Sequence, residues 1–78
     1  MAKLLIVNPN NAEFRNLMVR LARAIRNKDT QDLAQIKIDF SEYDTSILYN
    51  ASRDEIRVIV KDCPFVDFPV SKFVQVGL

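Results

Sequence analysis

The stretch NNAEFRNLMVRLARAIRN, residues 10–27, decides how this chain folds. Its apolar side chains recur at steps of three and four residues, which is the spacing of one face of an amphipathic α-helix. They are Phe14, Leu17, Met18, Leu21 and Ile25. Asn10 is a suitable N-cap, and Glu13 would stand at the third helical position, as in a capping box. Asn27, between Arg26 and Lys28, suits a C-terminus, where the helix dipole favours cations. The stretch predicts a helix of about five turns, with Leu21 in the core.

Short apolar segments on both sides of this helix predict strands. Leu4–Val7 is an apolar run that an Asn-Pro pair ends, and such runs are typical of buried strands. Ile36–Phe40 alternates strictly between apolar and polar residues, as a half-buried strand does. Ile56–Lys61 and Val70–Val76 also predict strands.

The connecting segments leave alternatives open. Asp29 is placed to cap a brief helical turn around Leu33. Residues 44–51 fit a strand by their β-branched and aromatic content, or one helical turn capped by Asp44. Residues 51–54 fit a hairpin loop.

These elements predict one small α+β domain over residues 1–78. One long helix would pack on one face of a mixed sheet of about four or five strands, in two layers. The order would be strand, helix, strand and then an antiparallel meander, with the first three elements forming a right-handed βαβ unit. A ferredoxin-like alternative needs a short second helix, which only residues 44–51 would supply.

The composition excludes several kinds of chemistry. The 78 residues contain no histidine, one cysteine and one glycine. Without histidine the chain has no imidazole base and no histidine metal ligand. Cys63 alone excludes an intrachain disulfide and a paired-cysteine metal or redox site, and Gly77 alone excludes a glycine-rich phosphate loop. We therefore expect no catalytic residues, no metal and no cofactor.

Carboxylates at the ends of predicted strands are a candidate magnesium site. Carboxylates that converge from two strand ends hold Mg²⁺ in some phosphodiester enzymes. Acidic residues are also ordinary in turns and caps, and we favour that interpretation here. The residues are Asp39, Glu42, Asp44, Asp54 and Glu55.

The sequence carries no sign of export or of membrane insertion. No segment approaches the roughly 20 apolar residues that a membrane-spanning helix needs. The apolar run at the start is too short for a secretory signal. One free thiol fits a reducing compartment, so we expect a cytoplasmic protein that binds no membrane.

Charge is distributed unevenly along the chain. The net charge is +1, but residues 1–28 carry six basic and one acidic side chain, a charge of +5, and residues 29–78 carry a charge of −4. Four arginines lie opposite the apolar stripe on the helical wheel: Arg15, Arg20, Arg23 and Arg26. A line of arginines is able to follow a nucleic-acid backbone or an acidic protein. A pI of about 7.9 is low for a dedicated nucleic-acid binder, so we favour a solvated face that the acidic 39–55 region neutralises.

One helix cannot cover every apolar side chain that the strands present. By alternation, Ile59 and Phe73 would lie on the uncovered sheet face. Phe65 and Phe68, which prolines bracket, would either fold under the sheet or form an exposed patch. Such a patch predicts a homodimer, with Val70–Val76 as the seam and Phe73 as the anchor.

Together these features predict a small non-enzymatic interaction module. We expect a regulator, inhibitor or adaptor, of a size that viruses and mobile elements also encode, which binds a protein partner and forms a homodimer. The alternative is a nucleic-acid-binding protein that uses the four arginines. Candidate interface residues are Ile59, Phe65, Phe68 and Phe73.

Overall fold

The computed structural model describes residues 4–74, which have the predicted α+β fold. Within them two helices precede three strands: α1 Ala12–Asn27, α2 Thr30–Ser41, β1 Thr45–Asn50, β2 Glu55–Val60 and β3 Val66–Pro69. A 3-10 turn follows at Val70–Lys72. The prediction of the fold class is confirmed, whereas the single helix and the strand order are not.

The helix predicted from residues 10–27 is present as α1. Its N-cap is Asn11 and not Asn10, because the Asn11 side chain accepts a hydrogen bond from the Phe14 N–H at 3.1 Å. Glu13 consequently forms no capping box and accepts a 2.7 Å hydrogen bond from the Tyr43 hydroxyl. The helix ends where Lys28 turns left-handed at φ 54° and its N–H bonds to the last carbonyls.

The segment Ile36–Phe40, predicted as a strand, lies inside the second helix. Asp29 caps this helix by accepting from the Asp32 N–H at 3.1 Å, and the helix is 12 residues long in place of the brief turn expected there. Ile36 and Phe40 are four residues apart and lie on the same helix face, where both are buried. Ile38 lies on the solvent side and is 56% exposed. The alternation of these residues therefore did not reflect a strand.

The three strands form an antiparallel sheet in the order β1-β2-β3. The ambiguous segment 44–51 is strand β1, with Thr45 and Ile47 buried. Residues 51–54 form the predicted hairpin loop, and Asn50 stands opposite Glu55 where the loop closes. The predicted mixed sheet of four or five strands is wrong, because its parallel partner at residues 36–40 is helical.

Neither chain end forms its predicted strand within the described residues. Leu4–Val7 is irregular and contributes Leu5 to the core. At the other end, the Val70 N–H donates to the Asp54 carbonyl, and the Phe73 N–H donates to the Val70 carbonyl, each at 3.0 Å. The first bond ties Val70 to the hairpin loop, and the second, between residues three apart, closes the 3-10 turn. The predicted strand Val70–Val76, on which the dimer seam was placed, is therefore wrong up to residue 74, and residues 75 and 76 lie outside the described residues.

Both helices cover the same face of the sheet, and the core lies between the two layers. Phe14, Met18 and Leu21 of α1 meet Ile36 and Phe40 of α2 in one cluster with buried side chains of all three strands. Leu21 is 2% exposed, as predicted. Between residues 4 and 74 no helix has the length and apolar character needed to cross a membrane.

Candidate interaction surfaces

The four arginines of α1 do not form one continuous basic surface. Arg20 donates from Nη2 to Asp32 at 2.7 Å and from Nη1 to Asp39 at 2.8 Å. Its hydrogen bond to Asp32 is the main cause that raises the pKa of its guanidinium. Arg20 therefore ties α1 to α2, and its charge is shared with two carboxylates.

Arg26 holds the end of α1 against the hairpin loop. Its two terminal nitrogens donate to the two carboxylate oxygens of Asp54 at 2.8 and 2.6 Å. The Tyr49 hydroxyl donates to the same carboxylate at 2.8 Å. The hydrogen bonds from Arg26 and then Tyr49 lower the pKa of Asp54 from 3.8 to about 2. Asp39 and Asp54 are thus engaged by different arginines and not by a shared metal site.

We expect this cluster to make the fold acid-sensitive. Because the pKa of Asp54 is depressed only in the folded chain, its contribution to stability is complete above about pH 4 and is lost as the pH falls towards 2. Asp54→Asn should remove this dependence, so that wild type and variant differ in unfolding midpoint at pH 6 and converge near pH 2, as followed by circular dichroism. Asp62→Asn is the matched control, since both residues have positive φ, 53° and 63°. A difference that persists at pH 2 would contradict the assignment.

Arg15 and Arg23 remain exposed. Neither forms an ion pair with a carboxylate in the part of the chain that the structure describes. The acidic region therefore neutralises half of the predicted arginine face, through Asp39 and Asp54, with Asp32 as an additional partner.

Two of the four candidate interface residues belong to the core. The Phe68 ring lies 5.5 Å from Phe14 and 5.9 Å from Phe73, and Phe14 and Phe73 are 6.4 Å apart between centroids. Phe68 is 8% exposed and Phe73 is half-buried. Phe68 therefore takes the first of its two predicted alternatives and folds under the sheet, and the 3-10 turn brings Phe73 to the same place, so neither ring belongs to an exposed patch.

The other two candidates lie on the outer sheet face, the side of the sheet that neither helix covers, which presents Leu48, Arg57, Ile59, Phe65 and Asp67. Arg57 is central: Leu48 and Asp67 stand opposite it on the neighbouring strands. Its guanidinium lies 3.9 Å from the Phe65 ring centroid and donates to Asp67 at 2.9 and 3.3 Å. The hydrogen bond from Arg57 lowers the pKa of Asp67. Leu48 and Phe65 are 58% and 53% exposed.

Sequence reasoning missed Leu48 and Arg57. The alternation of Ile56–Lys61 placed Arg57 on the same face as Ile59 and was the available signal for it. Leu48 was not assignable while residues 44–51 fitted either a strand or a helical turn.

A second surface is the β1 groove, an open depression of about 480 Å³ between β1 and the two helices. Leu21 and Ile25 of α1, Leu33 of α2 and Ile56 of β2 line it. Lys28 and Lys37 stand among its lining residues. The groove depends on α2, so the sequence prediction, which had a strand there, contained no such feature.

Other reactive groups are dispersed. Cys63 is exposed in the turn after β2. Among residues 4–74, no three cysteine or carboxylate side chains converge as a metal site would require.

Comparison of the chain with known protein families, with curated proteins and with solved structures finds no match.

Proposed function

We propose that this chain is a small non-enzymatic interaction module, a regulator, inhibitor or adaptor, that binds a macromolecular partner through its outer sheet face. The observation that carries the proposal is the grouping of Leu48, Ile59 and Phe65 around a fixed arginine, Arg57. Contiguous exposed apolar surface is commonly a binding site.

The geometry of Arg57 supports this proposal. Its two bonds to Asp67 and its contact with Phe65 fix the side chain before any partner arrives. A side chain that is already ordered loses less conformational entropy on binding. Arginine and aromatic residues are also the types that most often dominate the centre of an interface.

We further propose that two copies associate through this face as a homodimer. A two-fold contact requires a self-complementary surface. The outer sheet face combines apolar side chains with a cation and its own counter-ion, Arg57 and Asp67, so two copies meet without an excess of like charge. Sheets pack face to face in this way in many folds.

The oligomeric state tests the homodimer. We expect a dimer by light scattering at micromolar concentration for the wild type and a monomer for Phe65→Glu. Ile38→Glu is the matched control, because Ile38 is 56% exposed and Phe65 53%, but Ile38 lies on α2. A monomeric wild type, or equal association of both variants, would contradict the homodimer.

Capture from a lysate of the source cells tests the partner with the same variants as baits. A protein that the wild type and Ile38→Glu retain, and Phe65→Glu does not, supports binding through the outer sheet face. Equal capture by all three baits would contradict it.

Nucleic-acid binding through α1 is a second candidate, favoured by the exposure of Arg15 and Arg23. Eight helical residues place them about 12 Å apart along the axis, which suits two phosphates of one strand. Binding of mixed-sequence DNA and RNA at two salt concentrations tests it. Affinity that falls steeply with salt and is lost in the Arg15→Gln, Arg23→Gln double variant supports this function, and an absence of binding by the wild type overturns it.

A further inference from the structure

The outer edge of β1 carries backbone groups that the sheet leaves unpaired. On the side of β1 that faces β2, the Lys61 N–H donates to the Asp44 carbonyl at 3.0 Å. Hydrogen-bonded and non-hydrogen-bonded pairs alternate along an antiparallel ladder, so residues 46, 48 and 50 bond to β2. Thr45, Ile47 and Tyr49 therefore direct their N–H and C=O groups to the opposite side. Within residues 4–74, β1 is an edge strand and no further strand pairs there.

The β1 groove lies beside this edge. Its apolar lining includes Leu21 and Ile25 of α1 and Leu33 of α2. Its charged groups have one sign: Lys28 and Lys37 line it, and none of the described lining residues is an aspartate or a glutamate. The groove is thus apolar with a positive rim, whereas Arg57 of the outer sheet face is neutralised by Asp67.

The walls of the groove are fixed by the ion pairs of the fold. Arg20 joins α1 to α2 through Asp32 and Asp39. Tyr49, at the end of β1, is held by its hydrogen bond to Asp54. These contacts link α1 to α2 and hold the end of β1, which favours binding of an extended segment without rearrangement.

We propose that the β1 edge and the β1 groove together bind an extended segment of a partner protein that carries apolar and acidic side chains on one face. Added as a strand to β1, such a segment pairs its backbone with Thr45, Ile47 and Tyr49. Every second side chain then points into the groove. Apolar side chains fill it, and carboxylates meet Lys28 and Lys37. This site borders the outer sheet face at Leu48, which also lines the groove, and it goes beyond the function proposed above.

A designed peptide tests the charge requirement. The probe is a capped peptide of six residues, the length of β1, in which threonine alternates with aspartate, isoleucine and valine. We expect fluorescence anisotropy to show binding that weakens with salt and that Lys37→Glu weakens by roughly three- to fivefold. Lys72→Glu, an exposed lysine outside the groove, is the matched control and should leave the affinity unchanged. A second peptide with lysine in place of aspartate should prefer Lys37→Glu to the wild type. Equal binding of both peptides to both proteins would overturn the proposal.

Amide hydrogen exchange tests the strand addition. The acidic peptide should slow exchange at Ile47 and Tyr49, whose N–H groups face the open edge, and leave Leu48 unchanged because its N–H already bonds to β2. N-methylation of the peptide at the residues that face β1 should abolish binding, whereas N-methylation at the alternate residues should not. Protection that rises with protein concentration in the absence of peptide would mean that a second copy occupies the edge, and would overturn the proposal. Binding without protection of Ile47 and Tyr49 would overturn it as well.

Discussion

Replacing Phe14 by alanine is expected to lower the free energy of unfolding by about 3–5 kcal/mol. Phe14 is completely buried and contacts both Phe68 and Phe73 through its ring. Its removal leaves a cavity where the helix layer, β3 and the 3-10 turn meet. A domain of this size has about 4–12 kcal/mol of stability in total, so the variant would be close to unfolded at ambient temperature.

Urea unfolding followed by circular dichroism measures this effect. Phe65→Ala is the control, since the Phe65 ring is 53% exposed and its removal should cost about 1 kcal/mol or less. Equal losses for the two variants would show that the aromatic cluster does not hold the chain ends to the core.

The second large effect tests whether residues 36–40 form a helix or a strand. Ile36→Ala should lower the free energy of unfolding by about 2–5 kcal/mol, because the Ile36 side chain is completely buried on the inner face of α2. Ile38→Ala should change it by about 0.5 kcal/mol or less, because Ile38 is exposed and alanine is the better helix former. In a strand the two side chains would share one face and both substitutions would be costly. Similar losses in thermal unfolding would contradict α2.

The sequence predicted those elements whose hydrophobic pattern is long or lies beside a clear turn. The apolar stripe of α1 extends over three full turns, which no alternative structure reproduces. The hairpin loop at residues 51–54 and strand β2 were likewise predictable, from a polar turn beside an alternating apolar segment. The N-cap is Asn11 and not Asn10, a shift of one residue. Two adjacent asparagines are both suitable N-caps, so the sequence does not decide between them.

The errors lie in segments whose pattern fits two structures. Ile36, Ile38 and Phe40 alternate, but Leu33, Ile36 and Phe40 also form a helical stripe, and five residues cannot decide between the two. Val70 and Phe73 have the spacing of one 3-10 turn as well as a place in an alternating series. In both places the outcome is decided by contacts with distant residues, such as the bond from the Val70 N–H to the Asp54 carbonyl.

The candidate surfaces were predictable to the same extent. Alternation along β2 was enough to place Ile59 on the sheet face that points away from the core. The partners of Arg20 and Arg26 were not predictable, because Asp32, Asp39 and Asp54 reach them only through the packing of α2 and the hairpin. The β1 groove was not predictable either, because it also depends on the packing of α2.

The aromatic cluster also bears on how fast the chain folds and unfolds. The pairing of α1 with α2 and of each strand with the next joins neighbours in sequence, and such contacts close short loops at little entropic cost. The cluster of Phe14, Phe68 and Phe73 instead joins the two ends of the described chain. Its loop is much longer than those between neighbouring elements and closes at a higher entropic cost, so we expect the cluster to form after the rate-limiting step of folding. Substitution at Phe14 would then leave the folding rate nearly unchanged and accelerate unfolding, which shortens the lifetime of the native state without delaying its formation.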